Sequence, residues 1–380
     1  MSPFKLPNAG TTIFTTMSRR ATELGAINLG QGYPDFEPPG RLLELVTRHL
    51  HARHNQYAPM AGVPALLEQV AAQVARLHGV AVDPAAEVTV TAGGPQAVFC
   101  ALQGGVEPRG EGVRFGPAFD CYAPAIELAG GRAVRVALRL PEFSLDFEAL
   151  GRALSPRTRL VVVNTPHNPS GALVSADDWR RLAALLEDSD ALLLSDEVYE
   201  HLVFDGRRHV SALAVPALRA RVFAVFSFGK VFNATGWKVG YCVAPLALTA
   251  ALRRVHQFVT FSVSSPVQHA LADYLAEDPG WVERLGDFYQ ERRDRFIALL
   301  AGSRFTPTPS AGTYFQLLDY SAISSDPDHE FCRALLERQR VAAIPVSHFC
   351  ERPPSARLLR FCFAKSDETL EPAVERLRRA

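Results

Sequence analysis

With 380 residues, 48% of them hydrophobic and 21% charged, the chain can bury a large core and is long enough for two or more domains. Forty basic residues balance forty acidic ones, so neither nucleic acid nor an anionic membrane is favoured as a partner and small-molecule chemistry is the default. The six cysteines form no C-x-x-C pair and most sit in apolar surroundings, as free buried thiols do in a reducing compartment.

In chain order, MSPFKLPNAGTTIF lacks the charged and then apolar regions of a secretory leader. No stretch approaches the roughly 18 apolar residues of a membrane span, and a cytoplasmic location is expected. Residues 1–40, rich in Gly and Pro, are expected to form an arm that rejoins the C-terminal part. His49, His51 and His54 in RHLHARH suggest a metal, yet on a helix only His51 and His54 share a face and no acidic ligand is near. The segment reads as a solvated helix, and no metal is expected. Pro64 opens and Gly79 closes the helix PALLEQVAAQVARLH.

From about 87 to 244, the short apolar runs EVTVT, GVRFGP, AVRVAL, RLVVVN, ALLLS, VFAVFS and VGYCVA alternate with helical patterns. Such runs are strands covered on both faces, which predicts a mainly parallel α/β sheet between helices. Ser175 caps ADDWRRLAALLED, with Asp178 as a capping-box variant. After about 275 come the charged helix WVERLGDFYQERRDRFIALLAG, the strand-like GTYFQLL, VAAIPV and RLLRFCFA, and the amphipathic helix ETLEPAVERLRR. The expected division is an arm (1–40), a large domain (41–275) and a smaller α+β domain (276–380).

The residues that follow the strands carry the chemistry. Gly93 and Gly94, Phe119, Asn168, Asp196, and Ser227 with Lys230 each follow a different strand, and ligands of parallel sheets bind beyond the strands' carboxyl ends. The glycines offer a helix N-terminus for an anion; Ser227 and Lys238 add donors, Phe119 a flat face, and Asp196 a buried acid in need of a cation. Only Lys5, Lys230, Lys238 and Lys365 among the 40 basic residues are lysines. Since arginine neither loses its proton nor condenses with a carbonyl, a lysine at 230 or 238 is kept for its amine. A phosphate, a protonatable flat ring and an aldehyde awaiting an amine describe pyridoxal 5′-phosphate.

INLGQGYPDFEPP, NTPHNPSG, LLSDEVYE, SFGKVFNATGWKVGY and LLRFCFAK together resemble the class I aminotransferases of pyridoxal-phosphate fold type I. The resemblance runs from about residue 10 to the end and is closest to the branch of kynurenine aminotransferase/glutamine transaminase K and the bacterial methionine aminotransferases, the latter most in VHQFVTFSV and VAAIPVSHFC. It implies that Lys230 carries the cofactor and acts as general base, that Asp196 pairs with the ring nitrogen, and that Tyr199 and Asn168 bond the ring's phenolic oxygen. Phe119 would stack on the ring. Ser227, Lys238 and the turn at Gly94 would bind phosphate, with Tyr57 of a second subunit; Pro95 removes one donor, which Gln96 or water would replace. Arg360 would grip the substrate carboxylate, helped by Asn164 and the Gly32 backbone, with Phe14, Tyr33 and the partner-derived Phe261 lining a side-chain pocket. The resemblance thus implies a homodimer with shared active sites, in which an amino acid, methionine foremost with aromatic amino acids or glutamine, reacts with a 2-oxo acid.

Three other readings compete with this one. A carbon–sulfur β-lyase would use the same lysine with a different leaving group. A serine acyl-enzyme would share Ser227-x-x-Lys230 but lacks the accompanying S-D-N and K-T-G. A ligand-sensing transcription regulator would need a helix-turn-helix ahead of this sequence and a basic face.

Overall fold

The computed structural model describes residues 5, 6, 10–350 and 356–380; residues 1–4 and 7–9 of the expected arm lie outside them. Its strands are β1 Ile27–Asn28, β2 Val88–Thr91, β3 Glu111–Gly116, β4 Arg132–Ala137, β5 Thr158–Asn164, β6 Leu192–Asp196, β7 Val222–Ser227, β8 Gly240–Val243, β9 Thr306–Pro307, β10 Phe315–Asp319, β11 Val341–Ala342, β12 Ile344–Pro345 and β13 Leu358–Cys362. Strands β2 to β8 form one seven-stranded sheet in the order β2-β8-β7-β6-β5-β3-β4, and these are the seven apolar runs of the sequence.

Every neighbour pair in this sheet is parallel except those of β8, which runs antiparallel to both β2 and β7. Its reversal brings the start of β8 to the edge where the other strands end, with Gly240 between Thr91 and Ser227. Alternate side chains of each strand point to opposite faces. On β7, Val222, Ala224 and Phe226 join one core cluster while Phe223 and Val225 join the other, so both faces are covered by helices and continuous apolar runs are required.

Helix limits follow local chemistry. Helix Pro64–His78 ends at Gly79 with φ 68°, a left-handed cap that glycine adopts without a Cβ penalty. Ser175 and Asp178 form a reciprocal capping box on helix Ala176–Leu185. Four antiparallel strands, β12-β13-β10-β9, make a second sheet, and β1 pairs in parallel with β11. The VAAIPV run is therefore split between two sheets, with β11 on β1 and β12 on β13.

One reading from the sequence needs correction. The helix carrying His49 ends at His51, and Arg53 turns back with φ 68°. His54 is thus off the helix and folds back beside His49, which is buried rather than solvated. An acid, Asp273, and a further histidine, His269, reach the same place from helix Ser265–Glu277; they are more than 200 residues away in sequence, where no local pattern reveals them.

Candidate active site

Beyond the carboxyl ends of the large sheet lies a cavity of about 220 Å³, lined by Gly93, Gly94, Pro95, Phe119, Asn164, Asn168, Asp196, Tyr199, Ser227, Lys230 and Lys238, together with Tyr122. Eleven residues singled out by the sequence thus meet in one place. Lys238 joins them because β8 is reversed: it stands two residues before this strand, at the edge where β2 and β7 end.

Lys230 stands on the single turn Phe228–Val231 directly after β7. Its Nζ donates to the Tyr314 hydroxyl at 2.8 Å and, more weakly, to the Gly32 carbonyl at 3.4 Å, while Tyr314 itself donates to Gly32 O at 2.6 Å. Burial lowers the amine's pKa to about 8; Lys238 and Arg360 push in the same direction, while Cys362 and Asp196 oppose them. A Cβ on Gly32 would meet the Phe315 ring at 2.6 Å, so glycine is needed for this close approach.

Asp196 ends β6. Burial raises its pKa to about 6, against a 2.5 Å hydrogen bond donated by Tyr122 Oη. Among the described residues no basic side chain forms an ion pair with it, so a buried acid faces the cavity without a cation. Asn164 Nδ2 donates to the Asp196 carbonyl at 2.9 Å, and Asn164 Oδ1 accepts from the Asn168 N–H at 2.8 Å. The asparagine bonded to Arg360 is instead Asn168, whose Oδ1 accepts from Nη1 at 2.8 Å; Asn164, expected beside the carboxylate, fixes the two strand-end turns.

Arg360, on β13, is 1% exposed. Nη2 donates to Gly30 O at 2.8 Å, Nε has no partner among the described residues, and the guanidinium lies over Phe315 at 3.9 Å, with Phe349 at 5.1 Å and Phe14 at 5.3 Å. Burial lowers its pKa to about 10, which leaves it charged at neutral pH.

The residues fit pyridoxal phosphate on structural grounds. At the start of helix Gly94–Gly105, Gly93 has φ 77°, and a Cβ there would come within 3.2 Å of Lys238 Nζ, filling the anion cradle. Pro95 sits in the first turn, where helical N–H groups lack intrahelical partners anyway. The unpaired Asp196 suits a protonated ring nitrogen, and Lys230 supplies the amine.

Four expected site residues lie elsewhere. Gln96 does not replace the donor lost at Pro95 through its side chain, because Oε1 accepts from Ala92 N at 2.9 Å and Nε2 lies 2.9 Å from both Cys100 Sγ and His256 Nδ1. Tyr57 is 83% exposed and packs edge-on against the half-exposed Phe261, their centroids 5.5 Å apart. Tyr33, also exposed, has Lys365 Nζ 4.5 Å above its ring. None of the four lines the cavity within one chain.

Two further residues belong to this place, Tyr122 lining the cavity and Tyr314 bonded to Lys230. Tyr122 stands six positions after β3, beyond the strand-end residues that drew attention, and Tyr314 enters from the C-terminal part. For Tyr314 the only local signal was its place in GTYFQLL, since its contact with Lys230 is created by tertiary folding.

Comparison with known proteins agrees with this geometry. The family model described as aminotransferase class I and II matches residues 25–377. The chain is 48% identical over 374 residues to the methionine aminotransferase of Escherichia coli K12, covering 98% of this chain and 97% of that protein. It is 31% identical to rat kynurenine–oxoglutarate transaminase 3, covering 96% and 87%. Among solved structures, an E. coli protein identified as having a methionine aminotransferase function superposes with a TM-score of 0.97 at 47% identity over 100% of both chains. The N-succinyldiaminopimelate aminotransferase of Mycobacterium tuberculosis does so with 0.95 at 39%, again over 100% of both. The cavity at the strand ends, the lysine and acid that share it and this likeness over nearly the whole length give one conclusion: the chain belongs to the class I and II aminotransferases, which are pyridoxal-phosphate enzymes of fold type I.

Proposed function

We propose that this aminotransferase uses methionine as its main amino donor, with aromatic amino acids and glutamine as further donors, and passes the amino group to a 2-oxo acid in a ping-pong cycle. The observation that carries this reading is Arg360, a buried fork ringed by Phe14, Phe315 and Phe349. The fork binds both oxygens of an α-carboxylate, while the rings favour an apolar side chain; the likeness to the E. coli methionine enzyme points the same way.

Pyridoxal phosphate, when bound, supplies the electron sink and the temporary store for the amino group. Gly94 at the helix start, Ser227 and Lys238 would hold its phosphate, and Asp196, Tyr199, Asn168 and Phe119 its ring. The protein's own work is then specific. Arg360, held by Asn168 and Gly30, orients the substrate before any proton moves. Lys230 Nζ takes the α-proton and delivers it again; a pKa near 8 makes it a usable base at neutral pH. Tyr314 fixes that nitrogen, and Asp196 keeps a proton on the group opposite it.

A homodimer belongs to this reading, with Tyr57 and Phe261 completing the partner's site; their exposure within one chain supports it. So does a division into a large domain of residues 41–275 and a small domain of 276–380 joined by residues 1–40, supported by the β1–β11 pairing. No helix among the described residues is long and apolar enough to cross a membrane, and the six free cysteines support a cytoplasmic setting.

The test is an assay of purified holoenzyme with methionine and a panel of 2-oxo acids. New amino acid should form in step with the 2-oxo product of methionine, without ammonia. Ammonia release independent of an acceptor would instead assign a lyase, and absence of product with methionine would remove it as donor.

A further inference from the structure

Away from the cofactor cavity, three imidazoles converge from three pieces of chain. His49 comes from helix Gly40–His51, His54 from the turn after it, and His269 from helix Ser265–Glu277. One ligand atom from each lies within 4.8 Å of the other two. The His54 and His269 rings are stacked with centroids 4.0 Å apart, and His49 lies against both at 4.9 and 5.3 Å.

We propose that His49, His54 and His269 form a binding site for a late first-row divalent cation, zinc foremost. His49 Nδ1 faces His54 Nδ1 at 2.8 Å, so two ring nitrogens point at one another and share one proton at most. A metal ion satisfies both lone pairs at once. The opposite nitrogen, Nε2 of His49, lies 2.9 Å from Asp273 Oδ2, which sets the tautomer with the proton on Nε2 and the lone pair on Nδ1. This is the carboxylate–histidine arrangement that orients imidazole ligands and raises their basicity.

Three neutral imidazoles with an open fourth position suit a tetrahedral zinc ion, and imidazole donors suit copper and nickel equally. Zinc–nitrogen bonds of about 2.1 Å place tetrahedral ligands about 3.4 Å apart, between the 2.8 Å of the His49–His54 nitrogen pair and the 4.8 Å limit of the cluster, an adjustment that rotation of the half-buried His54 and His269 can supply. A neighbouring cation, Arg48, contacts Asp273 and lies 3.3 Å from His49 Nε2. It is therefore on the far side of the imidazole from the proposed ion, and Asp273 neutralises it.

The helices are already braced, with Arg41 bonded to Glu277 through both Nε and Nη2 at 2.8 Å. The new restraint falls on the turn after His51, which leads three residues on to Tyr57. The bound ion would thus tie the segment that bears Tyr57 to the helix that follows Phe261.

The experiment uses tag-free holoenzyme, treated with a chelator, dialysed, and titrated with zinc by calorimetry and with cobalt(II) by visible spectroscopy. One zinc per chain is expected, and cobalt should give tetrahedral nitrogen-ligand bands without thiolate charge transfer. His54→Gln and His269→Gln should each weaken binding by more than about 100-fold, and Asp273→Asn by about 10- to 100-fold, the usual loss for an outer partner. An unchanged cofactor spectrum shows that these variants are folded. Absence of saturable one-to-one zinc binding by the parent, or undiminished binding by the His54→Gln/His269→Gln double variant, overturns the proposal. Neither readout depends on which amino acid the enzyme uses.

Discussion

At the scale of single residues, chemistry is decided by which cation type stands where. Arg360 binds through a planar fork, so Arg360→Lys should lose one charge-assisted hydrogen bond, worth about 1.5–3 kcal/mol. The expected result is a roughly 10- to 150-fold fall in kcat/KM for amino acids, with cofactor absorbance intact. Lys230 shows a cost of function. Its folded pKa of about 8 lies below the unfolded value of about 10.4, so in the cofactor-free protein the unfolded state holds the proton more tightly. The penalty is full below pH 8, fades as pH rises and is gone above about 10.4. Cofactor-free Lys230→Met should therefore be more stable than the parent by up to about 3 kcal/mol at pH 7, and thermal unfolding should show the gap closing by pH 10. Most of this residue chemistry was legible: a chain that avoids lysine yet keeps two beside a strand end signals an amine in use. Tyr122 and Tyr314 were not legible, because nothing local distinguishes a tyrosine that touches a catalytic group from one that fills a core.

At the scale of elements, all seven strands of the large sheet could be read from the sequence, since a strand buried on both faces must be apolar throughout. The direction of β8 could not, because GYCV satisfies the same burial whichever way it runs. That direction matters, as it carries Lys238 to the edge where β2 and β7 end, the end proposed to hold the phosphate. The Gly93-Gly94-Pro95 turn shows how tightly this end is built. Gly93→Ala forces a side chain into the left-handed region and to 3.2 Å from Lys238 Nζ, at about 1–3 kcal/mol of strain. Equilibrium dialysis should show pyridoxal-phosphate affinity reduced by about 10- to 100-fold, and unchanged affinity would remove this turn from the phosphate site. The histidine segment misled for an elemental reason. A helix continuing through His54 would separate it from His49, but the chain reverses at Arg53 without a glycine to announce it.

At the scale of the whole molecule, the aromatic pair Tyr57 and Phe261 stands exposed in one chain and so asks for a second. Subunit mixing tests this. Lys230→Ala and Tyr57→Phe, each weak alone at limiting cofactor, should regain activity when unfolded and refolded together, because a mixed dimer contains one site with both native residues. No recovery would confine each site to a single chain. What the sequence could not convey at this scale is long-range placement, such as His269 and Asp273 beside His49 or Gly32 beside Tyr314. A similar distance governs the pairing of Ile27 with Val341. During synthesis at about 5–20 residues per second, strand β1 must wait about 15–60 s for its partner to leave the ribosome, long after the large sheet has had its full sequence. The first-made segment is thus among the last to find its seat, and until then a nascent chain carries an open edge for chaperones to guard.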